Sequence, residues 1–210
     1  EKNSLWVGLS KETAHQLGTP ISALVAWVEY LRLQPENETI CQEITKDINR
    51  LDMITKRFSQ IGTNPELTPI NIIPIIEGAM NYLCSRSSKK VIYDINLPKE
   101  EEIILPINQC LLEWVLENLS KNAIDAMGGI GTLSLEMSQD NKRVIIDISD
   151  TGKGMQKKEF KKIFEAGYTT KERGWGMGLS LAKRIIEEYH HGKIFVKQSV
   201  IGKGTTFRIM

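Results

Sequence analysis

Two clusters of glycine in the last third of the chain constrain its fold more than any other feature. The first cluster lies in Asp150–Met155 and directly follows an alternating apolar segment typical of a strand. The second lies in Gly174–Leu179 and directly precedes a helical segment. Glycine at such positions lets the backbone approach a flat ring or phosphate oxygens, and a helix N-terminus attracts anions. The sequence therefore predicts a nucleotide site between the two clusters.

The first cluster predicts how the base is held. The carboxylate of Asp150 can accept a proton from an exocyclic amine, while Gly152 and Gly154 turn the backbone tightly around a flat ring. Adenine carries such an amine, so this pattern fits adenine as the base, with an ordinary turn after a strand as the alternative.

The second cluster predicts how the phosphates are held. Free backbone N–H groups at the start of a helix bind phosphate oxygens, and the candidates here are Gly174, Gly176, Gly178 and Leu179. Lys171 and Arg173, between the clusters, are candidates for the terminal phosphates, with a solvated charge as the alternative for each.

A third part of the site is predicted on a helix near Asn108–Met127. Asn118 and Asn122 are four residues apart and share one face of that helix. Amide oxygens are hard, neutral ligands that suit Mg²⁺, which takes its other ligands from phosphates and water. Both asparagines are therefore predicted ligands of Mg²⁺.

The first 63 residues contain a different pattern, which predicts a helical hairpin. One helix carries a seam at Leu17, Ile21, Leu24, Val28 and Leu31, and after a break at Pro35–Asn37 a second carries Ile44, Ile48, Leu51, Ile54, Phe58 and Ile61. This seam is too large for a lone antiparallel hairpin to cover. A homodimer forming a four-helix bundle is favoured, and packing against the second domain is the alternative.

Residues 64–210 are predicted to form an α/β sandwich, which gives the chain the class α+β with a linker at Gly62–Pro69. Helices are predicted near Ile73–Cys84, Asn108–Met127 and Leu179–Tyr189. Strands are predicted near Val91–Asn96, Gly131–Met137, Arg143–Ser149, Lys193–Gln198 and Thr205–Ile209.

Composition narrows the class of protein. Twenty-seven basic and 26 acidic residues leave a net charge of +1, which gives no case for nucleic acid as a ligand. Three cysteines without metal-ligand spacing (Cys41, Cys84 and Cys110) are interpreted as small core residues in a reducing compartment. The chain starts at Glu1 without a signal peptide, so we expect a cytoplasmic piece of a longer protein, with a stand-alone protein as the alternative.

Together these motifs resemble the transmitter core of bacterial sensor histidine kinases, over nearly the whole chain. The matching segments are the H box (His15–Pro20), the N box (Asn118–Ala126), the first glycine box (Asp150–Gly154), the phenylalanine box (Phe160–Phe164), the second glycine box (Gly174–Gly178) and the final strand (Gly202–Phe207). The related gyrase, heat-shock and mismatch-repair ATPases share the nucleotide fold without such a hairpin.

The resemblance implies a mechanism and partners. One domain binds Mg-ATP, His15 attacks the γ-phosphate, and the phosphoryl group passes to an aspartate on the receiver domain of a response regulator. A neutral imidazole near pH 7 is a competent nucleophile, which agrees with that role. The family also implies a homodimer whose membrane attachment, if any, lies in an upstream region.

This sequence departs from the family at several positions. Gln16 stands where relatives carry the Glu or Asp that accepts a proton, so we hypothesise slower or more strongly gated autophosphorylation. Thr19 lies four residues after His15, where the family orients water for phosphatase activity. Asp125 replaces a basic residue of many relatives, so the phosphate contact is expected from Lys121, Lys171 or Arg173.

Two other functions compete with the kinase. A gyrase-type ATPase clamp needs a catalytic glutamate where this chain has Asn118, which argues against water activation. An ATP-binding signalling module with weak or no kinase activity, acting as a phosphatase or scaffold, agrees with Gln16.

Overall fold

The computed structural model describes residues 17, 20–61, 65–98, 102–140, 143–170 and 176–210. The chain divides into two compact units between Pro65 and Glu66. None of the helices in those ranges is long and apolar enough to cross a membrane.

The described part of the first unit contains two helices joined by a short turn. Helix α1 includes residues 20–31, a 3₁₀ turn follows at Pro35–Asn37, and α2 runs from Glu38 to Ile61. Pro35 occupies the first position of the turn, where its fixed φ is favourable. The side-chain amide of Asn37 donates to the carbonyl oxygen of Leu31 at 3.1 Å. The predicted break at Pro35–Asn37 is confirmed.

The seam of this hairpin is only partly buried. Ile21, Val28, Cys41 and Ile48 form one buried cluster. Intervening seam residues stay exposed, at 42% for Leu24, 37% for Leu31 and 44% for Leu51. About half of the predicted seam therefore lacks cover within this single chain.

The second unit is built on a five-stranded mixed sheet with the order β2-β4-β5-β7-β6. Its strands are β2 (Val91–Asn96), β4 (Gly131–Asp140), β5 (Arg143–Asp150), β6 (Ile194–Val200) and β7 (Gly204–Ile209). Strands β1 (Thr68–Asn71) and β3 (Ile104–Ile107) form a separate antiparallel pair. Three helices complete the unit: α3 (Ile72–Arg86), α4 (Gln109–Ala126) and α5 (Gly178–Arg184), which continues as a π-helical turn over Ile185–Tyr189.

Helix α4 is the centre of the core. Asn108 caps its N-terminus by accepting a hydrogen bond from the N–H of Leu111 at 3.1 Å. Its inward face packs with alternate residues of β4 and β5, and the residues at 1% exposure or less include Leu111, Leu116, Leu119, Leu133, Leu135 and Ile148. This packing holds α4 against the sheet, and the α+β class and the sandwich are confirmed.

A charged cluster joins three strands of the sheet. The carboxylate of Asp147 accepts two hydrogen bonds from the guanidinium of Arg208 and one from Lys197, each at 2.7 Å. The two hydrogen bonds from Arg208 and the one from Lys197 hold the pKa of Asp147 below its usual value, although burial of the carboxylate acts to raise it. The cluster thereby connects β5, β6 and β7.

Three sequence predictions are corrected by the structure. The predicted linker ends too late, because Thr68 and Pro69 already belong to β1. Strands β1 and β3 were not predicted at all. Of the cysteines, Cys41 is buried, but Cys84 is exposed and Cys110 is half-buried. Cys84 follows the buried Leu83 on α3, and the next residue of a helix points about 100° away.

His190 joins the end of the π-helical turn to the start of α4. The backbone N–H of Asn108 donates to Nε2 at 3.0 Å, and Nδ1 lies 2.8 Å from the carbonyl oxygen of Ile185. Both contacts are satisfied by the neutral ring protonated at Nδ1, because a protonated Nε2 could not accept the bond from Asn108. Burial lowers the pKa of His190 below its usual value.

We expect this histidine to make the stability of the protein depend on pH. Since its folded pKa is lowered, the unfolded chain takes up the proton first as the pH falls. The contribution is therefore complete above the unfolded pKa of about 6.5 and is lost as the pH falls from there toward the folded pKa. The loss approaches about 1.4 kcal/mol per pH unit within that window, and urea unfolding between about pH 7.5 and pH 5.5 measures it.

A comparison of two variants isolates the effect from other titrating groups. His190→Gln should unfold more readily at neutral pH and show a weaker pH dependence than the parent. His191→Gln changes the exposed neighbour and leaves both hydrogen bonds of His190 in place, so its stability should depend on pH more strongly than that of His190→Gln. Equal pH profiles for the parent and His190→Gln would contradict the role of His190.

Candidate functional site

Asn118 lies on α4 directly beside the start of α5. It is half-buried between the fully buried Leu116 and Leu119, and the next turn of the helix carries the half-buried Asn122. A Cβ added to Gly178 would lie 3.4 Å from Oδ1 of Asn118. The side-chain nitrogen of Asn118 is buried and has no hydrogen-bond partner among the described residues. A buried amide without a partner is costly, so this position is prepared for a ligand.

Asp150 ends strand β5 with a buried carboxylate. Its Oδ1 accepts the backbone N–H of Gly152 at 2.7 Å, and the backbone of Thr205 provides a second hydrogen bond. Burial raises the pKa of Asp150, and the two backbone bonds offset part of that effect. The carboxylate is therefore held in one orientation by its own turn and by β7.

The loop after Asp150 packs directly on the C-terminal end of α4. The N–H of Lys153 donates to the carbonyl oxygen of Ala126 at 3.0 Å. A Cβ on Gly152 would lie 2.6 Å from the same oxygen, and one on Gly154 would overlap the carbonyl group of Val200. Gly154 also has a φ of +66°, in the left-handed region that favours glycine. Both predicted glycines are required by close backbone approach.

Helix α4 thus passes beneath both glycine clusters. Ala126 contacts the first cluster and Asn118 contacts the second. Eight residues of helix separate these two contacts, a rise of about 12 Å. The structure therefore brings Asp150 and Gly152 to the C-terminal end of α4 and Gly178 to Asn118, with Asn122 one helical turn after Asn118 and Gly154 held against Val200.

The phenylalanine box connects the site to the core. A short 3₁₀ turn at Lys162–Phe164 buries Ile163 and Phe164. The ring of Phe164 meets that of Phe207 edge to face, with 6.2 Å between centroids. Nζ of Lys183 on α5 lies 5.7 Å from the centroid of Phe164. This turn is therefore attached to both the sheet and α5.

The second glycine cluster is described from Gly176 onward. Gly176 has a φ of +63°, and its carbonyl oxygen accepts the N–H of Gly167 at 3.0 Å. Leu179 is half-buried at the start of α5, one residue after Gly178.

Lys121 is exposed on α4, with Nζ 3.4 Å from a carboxylate oxygen of Glu117. Its contact with phosphate stays a prediction.

Six predicted site residues lie outside the described part of the chain. His15, Gln16 and Thr19 belong to the H box, and Lys171, Arg173 and Gly174 precede Gly176. Their roles stay predictions.

The sequence reasoning missed the contribution of the hairpin between β6 and β7. Thr205 is buried beside Asp150, and its hydroxyl lies 2.9 Å from that of Ser199, which accepts the N–H of Met155 at 2.9 Å. Gly204 has a φ of +115°, and a Cβ there would overlap the carbonyl group of Asp150. The run from Gly202 to Phe207 was the available signal, and it was interpreted only as a strand.

Comparison with known proteins agrees with this geometry. Residues 108–210 match the sequence family described as histidine kinase-, DNA gyrase B-, and HSP90-like ATPase. The sensor histidine kinase ZraS of Salmonella typhimurium is 31% identical over 208 residues, which cover 96% of this chain and 44% of ZraS. This chain therefore spans less than half the length of that relative.

Solved structures show the same fold. The catalytic domain of the histidine kinase ThkA matches with a TM-score of 0.62 and 26% identity, covering 69% of this chain and 94% of that domain. The structure of ThkA in complex with the response regulator protein TrrA matches with a TM-score of 0.61 and 22% identity, covering 96% of this chain and 60% of that one. At that identity the second match shows the fold alone.

Gly154 and Gly128 form a matched pair that tests the close approach at the site. Both have left-handed φ angles, +66° and +63°, but a Cβ on Gly128 would meet nothing within 4 Å. Alanine causes similar backbone strain at either position, because the two φ angles are nearly the same. We expect Gly154→Ala to weaken ATP binding at least tenfold, since its Cβ displaces the hairpin, whereas Gly128→Ala binds ATP within about twofold of the parent. Titration calorimetry measures the ATP affinity of each variant, and equal affinities of the two variants would contradict a role for the close approach at Gly154.

Proposed function

We infer that the chain belongs to the sensor histidine kinases and spans their transmitter core, and we propose that it uses Mg-ATP to phosphorylate His15. The phosphoryl group then passes to an aspartate of a response regulator. The observation that carries this proposal is the course of α4 beneath both glycine clusters, with Asp150 and Gly152 at one end and Asn118 and Gly178 at the other.

The base end of the site supports adenine. The carboxylate of Asp150 is already oriented by Gly152 and Thr205, and a carboxylate oxygen accepts several hydrogen bonds. An exocyclic amine is the group that such a buried acceptor selects. Gly152 and Gly154 let the loop that follows Asp150 pack against the backbone of Ala126 and Val200, where a Cβ would clash.

The phosphate end supports Mg²⁺. The amide of Asn118 is buried without a partner for its nitrogen, and a turn of the amide exchanges oxygen and nitrogen. With Asn122 it offers two neutral oxygen ligands, a set that fits an ion taking its other ligands from phosphates and water. Asn118 and Asn122 would therefore hold Mg²⁺, which neutralises charge on the phosphates when bound. Lys121, Lys171, Arg173 and the N–H groups of Gly174, Gly176, Gly178 and Leu179 are the proposed phosphate donors.

The chemical step transfers the γ-phosphoryl group to an imidazole nitrogen of His15. A nitrogen–phosphorus bond forms as the bond to the bridging oxygen breaks, ADP leaves, and the imidazole must lose its proton. Gln16 cannot accept that proton because an amide is not a base at neutral pH. The proton must pass to water or to another group, which is the basis for the expected slow or gated reaction.

The exposed seam of the first unit supports a homodimer. Leu24, Leu31 and Leu51 are each more than a third exposed although they follow the same heptad pattern as the buried Ile21 and Val28. A second copy of the hairpin would cover them and complete a four-helix bundle.

The partner and the location follow from the family. ThkA was solved with a response regulator protein, and we propose the receiver domain of such a protein as the partner here. Trp27 and Tyr30 on α1, at 65% and 66% exposure, are candidates for docking it. We also propose a cytoplasmic position, with membrane attachment only through a region upstream of this chain.

A nucleotide analogue tests the role of Asp150. Inosine triphosphate presents a carbonyl oxygen where ATP presents the amine, so it would face the carboxylate with an acceptor. We expect it to bind at least tenfold more weakly than ATP, the effect of about one charge-assisted hydrogen bond. Competition binding measures the ratio, and equal affinities would argue against contact between Asp150 and the base.

Radioactive transfer tests the kinase itself. Incubation with Mg²⁺ and γ-labelled ATP should place acid-labile, base-stable label on the parent chain and none on His15→Gln. Gln16→Glu restores a proton acceptor. General-base assistance typically contributes about a hundredfold or more to a rate, so we expect labelling of this variant to be at least tenfold faster than labelling of the parent.

The other outcomes separate the alternatives. A parent that binds ATP without becoming labelled would favour the signalling module, and multiple turnover of free phosphate would favour the ATPase clamp. Labelling of Gln16→Glu that is no faster than labelling of the parent would contradict the proposal that the missing proton acceptor slows the reaction. Unchanged phosphatase activity in Thr19→Ala would count against Thr19 in orienting water.

A further inference from the structure

Four turns lie in a row at one end of the five-stranded sheet. The strand register aligns the starts of β2 and β4 with the end of β5, the start of β7 and the end of β6. Neighbouring strands are about 4.8 Å apart, so the row is about 19 Å long. We call these four turns, residues 88–90, 127–130, 151–155 and 201–203, the lysine end of the sheet.

Backbone hydrogen bonds join the four turns to one another. The carbonyl oxygen of Lys90 accepts the N–H at the start of β4 at 3.3 Å. The N–H of Thr132 donates to the hydroxyl of Thr151 at 3.0 Å, and the N–H of Gly202 donates to the carbonyl oxygen of Lys153 at 2.8 Å. Each turn is therefore held beside the next, and their side chains form one surface.

The lysine end has a net positive charge. Its exposed basic residues are Lys89, Lys90, Lys153 and Lys203, and its four turns contain no Asp or Glu. The carboxylate of Asp150, which precedes the third turn, is buried and accepts the N–H of Gly152. Asp125, in the last turn of α4, is exposed and lowers the net charge at this end by one. A surface of this charge attracts an anionic partner.

Three large apolar side chains are exposed among these lysines. Ile130 directly precedes β4 and is 60% exposed. Val200 and Ile201, at the tip of the hairpin between β6 and β7, are 54% and 64% exposed. One exposed apolar residue needs no explanation, but three in a single row of basic turns indicate an interaction surface.

We propose that the lysine end is a docking surface for a membrane that contains anionic lipid. The lysine amines bind anionic headgroups, and their flexible stems keep the charge at headgroup level while Ile130 and Ile201 enter the apolar layer below. The contact is peripheral and reversible, unlike the stable attachment that the proposed function assigns to an upstream region. It goes beyond the proposed function, because it needs neither nucleotide nor His15.

The shape of the surface favours a lipid bilayer over an acidic protein. A protein interface has an apolar centre surrounded by a polar rim, whereas here apolar residues and lysines are interspersed at the tips of turns. A groove is present in this unit, but it lies beyond the opposite end of β2, where Asn96 and Leu97 line it. A fluid bilayer accommodates separate protruding side chains without a matching cavity.

Sedimentation with lipid vesicles tests the docking of the full chain. The probes are vesicles of phosphatidylcholine alone and vesicles with equal amounts of phosphatidylcholine and phosphatidylglycerol. We expect the chain to bind the anionic vesicles at least tenfold more tightly at about 0.05 M salt. Most of that preference should disappear at about 0.5 M salt, because the ions screen the lysines.

Charge variants assign the binding to the lysine end. Lys89→Gln combined with Lys90→Gln should weaken binding to the anionic vesicles about 25-fold, since each lysine near such a surface contributes about fivefold. Lys46→Gln combined with Lys56→Gln removes the same charge from exposed positions of α2. This control should bind within about twofold of the parent.

Apolar variants test whether side chains enter the bilayer. Ile201→Ser removes apolar area without changing charge and should weaken binding to the anionic vesicles at least fivefold. Ile104→Ser changes a residue of β3 that is similarly exposed, at 58%, and should bind like the parent. Thermal unfolding followed by circular dichroism checks that every variant is folded.

The opposite results decide against the inference. Equal binding to neutral and anionic vesicles, or equal losses in the lysine-end variants and their controls, would overturn it. Ile201→Ser that binds like the parent would overturn the entry of apolar side chains into the bilayer. Binding to soluble polyglutamate without binding to vesicles would assign the surface to an acidic protein instead. Failure to bind either probe would overturn the docking and leave the kinase proposal, which labelling tests, unaffected.

Discussion

The contact between the Asp150–Met155 loop and the end of α4 is the constraint on which the rest of the site depends. The N–H of Lys153 reaches the carbonyl oxygen of Ala126, an orphan acceptor at the helix C-terminus, and only the missing Cβ of Gly152 permits that distance. Because the same helix carries Asn118 two turns earlier, one hydrogen bond sets this loop relative to Asn118 and Gly178, the proposed phosphate end of the site. The inward face of α4 is fully buried, so the helix cannot shift to accommodate a bulkier loop.

The orientation of Asp150 has a second source in the sheet. A buried carboxylate is costly unless it is hydrogen-bonded, and two backbone N–H groups reduce that cost without neutralising the charge. One of them belongs to Thr205 of β7, where Gly204 allows the two strands to approach. Asp147, three residues earlier on β5, is bound to Arg208 of β7, so the same two strands are joined again. The position of the Asp150 carboxylate is therefore determined by strand pairing as well as by its own turn.

The sequence was informative where residue type is forced by space. Gly152 and Gly154 stand where a Cβ would clash with neighbouring backbone, whereas a Cβ on Gly178 would make only an ordinary contact with Asn118. The alternating strands β4 and β5 were found because their inner residues face one core. Strands β1 and β3 were missed for a physical reason. Pro69 and Pro106 lie opposite one another, and since proline cannot donate to a ladder, each segment lacks the usual signature of a strand. The hydrogen bond from the backbone N–H of Asn108 to His190 joins residues 82 positions apart in sequence, so no local sequence pattern could predict it.

Under the proposed function, nucleotide binding and phosphoryl transfer are assigned to different units of this chain. The described groups of the nucleotide site all belong to the unit that starts at Glu66, whereas His15 and Gln16 belong to the preceding unit. A substitution at Gln16 therefore acts on the protonation of the nucleophile and leaves the base and phosphate contacts in place. The converse holds for Asp150, whose proposed role is to select the nucleotide and not to supply the missing base. For this reason, Gln16 is expected to slow the transfer step and to leave the nucleotide site intact. A slow transfer step therefore does not require a loss of ATP affinity.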